Sequence, residues 1–262
     1  MPSPTMQEKA PLLPDTREVA DATSADDTMA LRRSHSKSRF HAAMVVLLVS
    51  LFWLASTWTC ADHHEEADTK VPMDVHIMSK CPDARDCMNK LVLPVMANVS
   101  DKIDFRLSMI GTLTEDDGVL CKHGQTECLG DIVMLCAASS YPDPKLHLGF
   151  TNCLITDYPE IPARSLIEDC ALEHGLDFDV LNDCMSKENG AYGMGLLRDS
   201  AQHSSDVGVT TSCTIRLDDK VRCVADDGHF KDCEGGDKPE DLIRDIERLY
   251  KEAQGWTYSS EQ

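Results

Sequence analysis

Cys121–Cys136 reads CKHGQTECLGDIVMLC, and about forty residues before it lies a second cysteine-bounded segment, Cys81–Cys87, CPDARDC. Between and around these two stretches the chain carries all twelve of its cysteines, from Cys60 to Cys233. That spread points to an oxidising compartment and a disulfide framework. Zinc is the competing reading, with Cys121, His123 and Cys128 as ligands. The C-x6-C spacing is not that of a zinc knuckle and no second paired set follows, so disulfides are favoured and no metal is expected.

The 262 residues are enough for one sizeable domain with appendages. Acids outnumber bases 45 to 25, a net charge of -20, and all of the excess lies after residue 40. Such a surface repels nucleic acid, and no basic patch or aromatic run offers it a groove.

Residues 1–40, rich in Pro, Asp, Thr and Ser, read as a disordered tail. Within it Glu8, Leu12 and Leu13 fit an acidic dileucine sorting signal of the kind read by adaptors. Ala42–Trp58 then runs seventeen residues without a charge, preceded by Arg32, Arg33, Lys37 and Arg39 and followed by Asp62, Glu65, Glu66 and Asp68. The length and the charge asymmetry predict a single transmembrane signal anchor over 41–59, with a cytosolic N-terminus and a lumenal cysteine-rich part. A signal peptide cleaved near Ala61, which would give a secreted protein, is the alternative. Residues 60–70 form a linker containing His63-His64-Glu65-Glu66, and 254–262 a tail.

Val71–Met78 (VPMDVHIM) reads as a strand and Ile103–Ile110 as a second; 87–97 (CMNKLVLPVMA) reads as a helix that Pro94 should kink. A mostly helical stretch follows to about 204. Val207–Val224 reads as a hairpin turning at Asp218-Asp219, and Pro239–Ala253 as an amphipathic helix burying Leu242, Ile243, Ile246 and Leu249. Strand, helix, strand, helical insertion, hairpin, helix is the order of an α/β, thioredoxin-like domain over 71–253 with a cysteine-rich helical insertion at about 115–204. Asn98-Val99-Ser100 is its N-glycosylation sequon.

Cys121, His123, Gly124, Glu127, Cys128 and Cys136 resemble the signature CQHGxxECxxNxxxxC of the gamma-interferon-inducible lysosomal thiol reductase (GILT) family, with Lys122 in place of Gln and Asp131 in place of Asn. Cys170–Cys184, CALEHGLDFDVLNDC, resembles the family's second cysteine block. The resemblance covers about residues 71–250. It implies a thioredoxin-like fold, reduction of protein disulfides by thiol–disulfide exchange in a lysosome or vacuole, no bound cofactor, and an external small-thiol reductant. Anchored by 41–59, such a protein would sit in the lysosomal or vacuolar membrane with its catalytic domain lumenal.

In thioredoxin-like reductases two cysteines separated by two residues sit at the start of the first helix; the first attacks and the second resolves. Here the matching segment is Cys81–Cys87, with five residues between. On a continuous helix an i to i+6 pair lies about 10 Å apart, too far for a disulfide. Either Pro82–Asp86 forms a loop that brings Cys87 to Cys81, or Cys81 acts alone with Ala84 in the place of the resolving cysteine. The loop is favoured, with Cys81 as nucleophile, Cys87 as resolving thiol and Arg85 supporting the thiolate. Cys213 is read either as a contact of Cys81 or, preferably, as a cross-hairpin partner of Cys223. Cys121, Cys128 and Cys136 are expected to staple the insertion to segments carrying Cys153, Cys170 or Cys184; Cys223 and Cys233 complete the structural set. For Glu127 and His123, capping within the insertion is favoured over acid–base work. The alternative to a reductase is a catalytically inactive, disulfide-stapled binding domain.

Overall fold

The computed structural model describes residues 44–50, 52 and 69–255. The chain divides into the units Met1–His64 and Glu65–Gln262, and every element labelled below lies in the second. The expected membrane anchor is corrected. Residues 44–50 and 52 are helical, and a membrane span needs about 20 apolar helical residues. Among the described residues no helix is long and apolar enough to cross a membrane. The transmembrane helix, the membrane anchoring and the lysosomal or vacuolar membrane location that rested on it are overturned with it. The tail 1–40 with those three residues, the rest of 41–59, the linker to residue 68 with Cys60, and 256–262 lie outside the described residues.

Strand β1 (Val71–Ile77) pairs in parallel with β2 (Ile103–Met109) and antiparallel with β5 (Thr214–Leu217). Strands β6 (Lys220–Asp226) and β7 (His229–Lys231) extend the sheet to the order β2-β1-β5-β6-β7. A parallel pair joined by a helix, followed by an antiparallel hairpin on the other side of β1, is the thioredoxin-like arrangement. Helix α1 (82–99) joins β1 to β2, and α7 (Pro239–Ala253) closes the domain. The turn between β5 and β6 falls at Asp218 and Asp219, both at positive φ, as a two-residue hairpin turn requires.

Alternation along β1 sorts its side chains by face. Met73, Val75 and Ile77 are fully buried, each stabilising the fold by about 2 kcal/mol through removal from water. Pro72, Asp74 and His76 face the other way. Register places Asp74 beside Arg106 and Arg216, and His76 beside Ser108 and Thr214, so this second face is polar.

After β2 a short hairpin, β3 (Thr112–Leu113) with β4 (Val119–Leu120), leads into five helices: α2 (Gln125–Ser140), α3 (Pro144–Thr156), α4 (Arg164–Glu173), α5 (Phe178–Ser186) and α6 (Ala191–Asp206). They return to the sheet at β5. Helix α2 is the axis of this insertion, and its burial is not one-sided, since Glu127, Cys128, Gly130, Asp131 and Ile132–Ala137 are all buried. Disulfides Cys121–Cys128, Cys136–Cys184 and Cys153–Cys170 staple it.

One local expectation changes. Pro94 produces no break, because the helix widens just before it. Met88–Val92 is a π turn, with Leu93 N–H donating to Met88 O, so the carbonyl that the ring would strike is displaced. Gly130 marks a close approach: a Cβ there would lie 2.3 Å from Ile161 Cγ2 and 2.7 Å from Ser79 Oγ. Gly130→Ala is therefore expected to cost about 1–3 kcal/mol by overpacking. Chemical denaturation checks this, and an unchanged midpoint would contradict the packing.

Candidate functional site

The chain leaves β1 through Met78, Ser79 and Lys80 to reach Cys81, and each of the three is tied down. Met78 N–H donates to Ser212 Oγ at 2.9 Å, and Ser79 N–H to Asp131 Oδ1 at 2.9 Å. Ser79 Oγ donates to Glu127 O, and Lys80 Nζ to the carbonyls of Pro159 and Ile161. Cys81 is extended, as a residue before proline must be, and Pro82 opens the helix directly behind it.

That junction overturns the expected loop over Pro82–Asp86. Proline's fixed φ suits the first helical position, where its missing N–H is not needed, so Pro82 starts the helix instead of delaying it. Cys81 is the cap, its carbonyl accepting from Arg85 N–H at 3.4 Å. Cys87 then lies nearly two turns along the same helix, out of disulfide range of Cys81. Instead it is bonded to Cys213, with Cα atoms 6.3 Å apart. Cys81 is the free cysteine among the described residues, 7 % exposed, with its thiol donating to Ser212 O at 3.7 Å.

The Ser212–Cys213 peptide, in the segment just before β5, is cis. The preferred pairing of Cys213 with Cys223 is corrected. A bulge between Ile215 and Arg216 shifts the β5–β6 register by one residue, so Cys223 faces Ile215 and Cys213 bonds to the backbone of Ala225. Cys223 pairs with Cys233. Cys121 and Cys128 likewise bond to each other and not to other segments. Gly124, at φ 86°, turns the chain so that Cys121 folds back on the first turn of α2, with a Cα separation of 5.6 Å.

Arg85 does not serve the thiol. Its guanidinium donates to Asp86 and lies over the Tyr158 ring. Asp83 accepts the backbone N–H groups of Asp227 and Gly228, tying α1 to the β6–β7 turn. Asn98 is exposed on α1, its amide donating to Pro94 O.

Sequence reasoning missed the acid beneath this loop. Asp131 is wholly buried, and burial pushes its carboxyl up to about 8, with Glu127 nearby adding to the effect. Its Oδ2 lies 3.8 Å from Cys121 Sγ, a disulfide sulfur with no proton to give, so a hydrogen bond there needs the carboxyl's own proton. The signal was present in the substitution itself, since a neutral aspartic acid can stand where the resembled signature has asparagine. Glu127 accepts from His123 N–H and pairs with the His123 ring, closing the turn before α2.

The pH consequence follows by linkage. Between about 4 and 8 folded Asp131 holds a proton that the unfolded chain has lost. Its contribution to stability is therefore full below about 4 and is lost as pH rises through about 8, by up to about 1.4 kcal/mol per pH unit. Asp131→Asn is expected to flatten that slope in denaturation measured from pH 5 to pH 8; an unchanged slope would remove Asp131 as its source.

Residues 72–174 match the family described as gamma interferon inducible lysosomal thiol reductase (GILT). A gamma-interferon-inducible lysosomal thiol reductase-like protein of Anopheles gambiae is 28 % identical over 138 residues, 47 % of this chain and 57 % of that protein. GILT-like protein 1 of Drosophila melanogaster is 25 % identical over 166 residues, 57 % of this chain and 63 % of that protein. The chain thus spans less than two thirds of each relative. Among solved structures, the thiol-disulfide exchange protein alpha-DsbA2 of Wolbachia pipientis overlays with a TM-score of 0.49 at 15 % identity, over 70 % of this chain and 83 % of that one. The thioredoxin-like fold itself rests on the order and polarity of the strands. Over residues 72–174 this chain is similar to the gamma-interferon-inducible lysosomal thiol reductases, and the two insect relatives are similar to it at 28 % and 25 % identity.

Proposed function

We propose that the domain is a thiol–disulfide oxidoreductase that reduces disulfides in protein substrates through Cys81 alone. One observation carries this reading: Cys81 is a free thiol at the start of α1, beside the Ser212–Cys213 turn, while Cys87 and Cys213 are bonded to each other. The thiolate is the attacking species, and free N–H groups at a helix start favour it.

The thiolate of Cys81 attacks one sulfur of a substrate disulfide. A Cys81–substrate disulfide forms and the other substrate sulfur leaves as a thiolate. A small external thiol, as its thiolate, then attacks the substrate sulfur of that bond, freeing Cys81 and forming a substrate–small-thiol disulfide. A second small thiol resolves this, so that two small thiols are oxidised to one disulfide and the substrate disulfide gains two electrons and two protons. No bound cofactor enters the sequence of steps. The five disulfides among the described residues fit maturation in an oxidising compartment.

A second reading, an inactive disulfide-stapled binding domain, is favoured by the 7 % exposure of Cys81. Insulin reduction at pH 5 and pH 7 with a small thiol as reductant separates the two. Turnover above the thiol-only rate supports the reductase. No turnover, with Cys81 inert to alkylation in the folded chain, supports the binding domain.

A further inference from the structure

The polar face of the sheet, opposite the apolar β1 side chains, holds a cluster that the thiol chemistry does not use. Asp74 and His76 stand two residues apart on β1, and His203 of α6 closes over them. His76 Nε2 lies 3.1 Å and His203 Nε2 2.5 Å from the same oxygen, Asp74 Oδ2. The two imidazoles stack with centroids 5.6 Å apart and planes 18° apart.

The hydrogen bonds around the cluster assign its protons. Ser204 Oγ donates to Met109 O at 2.8 Å, and a carbonyl can only accept. Ser204 has one proton to give, so at its 2.8 Å contact with His76 Nδ1 it accepts, and Nδ1 carries the hydrogen. In the neutral imidazole this leaves a lone pair on Nε2. His76 is completely buried, and its Nε2 faces Asp74 Oδ2 at 3.1 Å without the alignment of a hydrogen bond. A buried lone pair turned toward a carboxylate oxygen calls for a positive charge between them.

We infer that Asp74, His76 and His203 form a binding site for a zinc-like divalent cation, ligated through Asp74 Oδ2 and the Nε2 atoms of the two histidines. The three ligand atoms lie within 4.8 Å of one another. Ligands on a tetrahedral zinc stand about 3.3 Å apart, given bonds of about 2.0–2.1 Å, and the two imidazole nitrogens stand 3.1 and 2.5 Å from Asp74 Oδ2.

The supporting groups are those such a site needs. Ser204 fixes the His76 tautomer, and Ser108 Oγ donates to the second Asp74 oxygen at 2.6 Å. Asp74 and His203 open onto a cavity of about 320 Å³ whose walls include Arg106 and Arg216, which leaves a fourth position for water. Arg106 Nη1, 3.3 Å from His203 Nε2 on an exposed side chain, must swing into that cavity as the ion enters. A bound ion would pin α6, the last helix of the insertion, to β1, the strand that leads to Cys81. This site is independent of the reductase reading and departs from the sequence expectation of no metal.

The test is a zinc titration of the metal-stripped full chain, its free thiols alkylated, against a chromophoric chelator, with cobalt as a spectroscopic probe. One equivalent of zinc is expected, with cobalt giving visible bands of nitrogen and oxygen ligation. Ser204→Ala should weaken binding about 10-fold, and His203→Ala by more than the roughly 100-fold upper range of a supporting group. His203 is partly exposed, so circular dichroism should show that variant folded. Replacing His63 and His64 together should change nothing. No zinc uptake by the wild type would mean that a proton occupies the position between His76 and Asp74. That result, or a folded His203→Ala variant with wild-type affinity, or loss of binding on removing His63 and His64, overturns the site.

Discussion

Cys81→Ser is expected to abolish turnover in an insulin-reduction assay driven by a small thiol, lowering the rate to that of the thiol alone. The effect should be total, because each exchange step passes through this one sulfur and an alkoxide cannot replace a thiolate as nucleophile or leaving group. The fold should survive. The side chain is close to isosteric, and its one recorded hydrogen bond, to Ser212 O, can be made by a hydroxyl. Trapping a disulfide-containing peptide by mass spectrometry gives the companion measurement. The adduct should map to Cys81 in the wild type and vanish in the variant. Retained turnover in Cys81→Ser would move the chemistry to another sulfur and end the single-thiol reading.

The second large effect separates structure from chemistry. Replacing Cys87 and Cys213 together by Ala removes the disulfide that ties α1 to the turn before β5, across a sequence separation of 126 residues. Chain-entropy arithmetic for a loop of that size gives about 4–5 kcal/mol of lost stability, a large part of the roughly 5–15 kcal/mol typical of a domain. Urea denaturation of the double variant should therefore show a much lower midpoint. Turnover per folded molecule in the insulin assay should stay within a few-fold of wild type, because neither sulfur has a step in the proposed exchange. A folded double variant that no longer turns over would instead make this pair the resolving thiols. Replacing both at once matters, because Cys87→Ser alone leaves Cys213 as a new thiol in the turn that adjoins Cys81.

Much of this molecule was legible along the chain because the deciding interactions are local. Alternation marked β1 and β2, the Asp218-Asp219 pair marked the hairpin turn, and the spacing of Leu242 and Ile246 marked α7, all within a residue or so of the observed bounds. The apolar run at 41–59 shows the limit of reading by composition. It has the hydropathy of a membrane anchor, but among the described residues no helix is long and apolar enough to span.

The candidate site was less legible because its geometry depends on contacts between distant segments. One proline decided it locally: Pro82 at the first helical position carries Cys87 away from Cys81 along α1. One bulged residue in the β5–β6 ladder widens the offset of Cys213 from Cys223 from one position to two, and Cys213 bonds to Cys87. A period-two pattern cannot register a one-residue shift of that kind. Asp131 could be read as a polar helix residue until α2 proved to be buried on every side, where desolvation decides its proton. The cluster of Asp74, His76 and His203 joins positions 129 residues apart. Sequence determined the elements, the cysteines and the strand face on which Asp74 and His76 stand together. Packing of α6 across that face alone brought His203 to them, because side chains distant in sequence meet only where the core fixes the helix against the sheet.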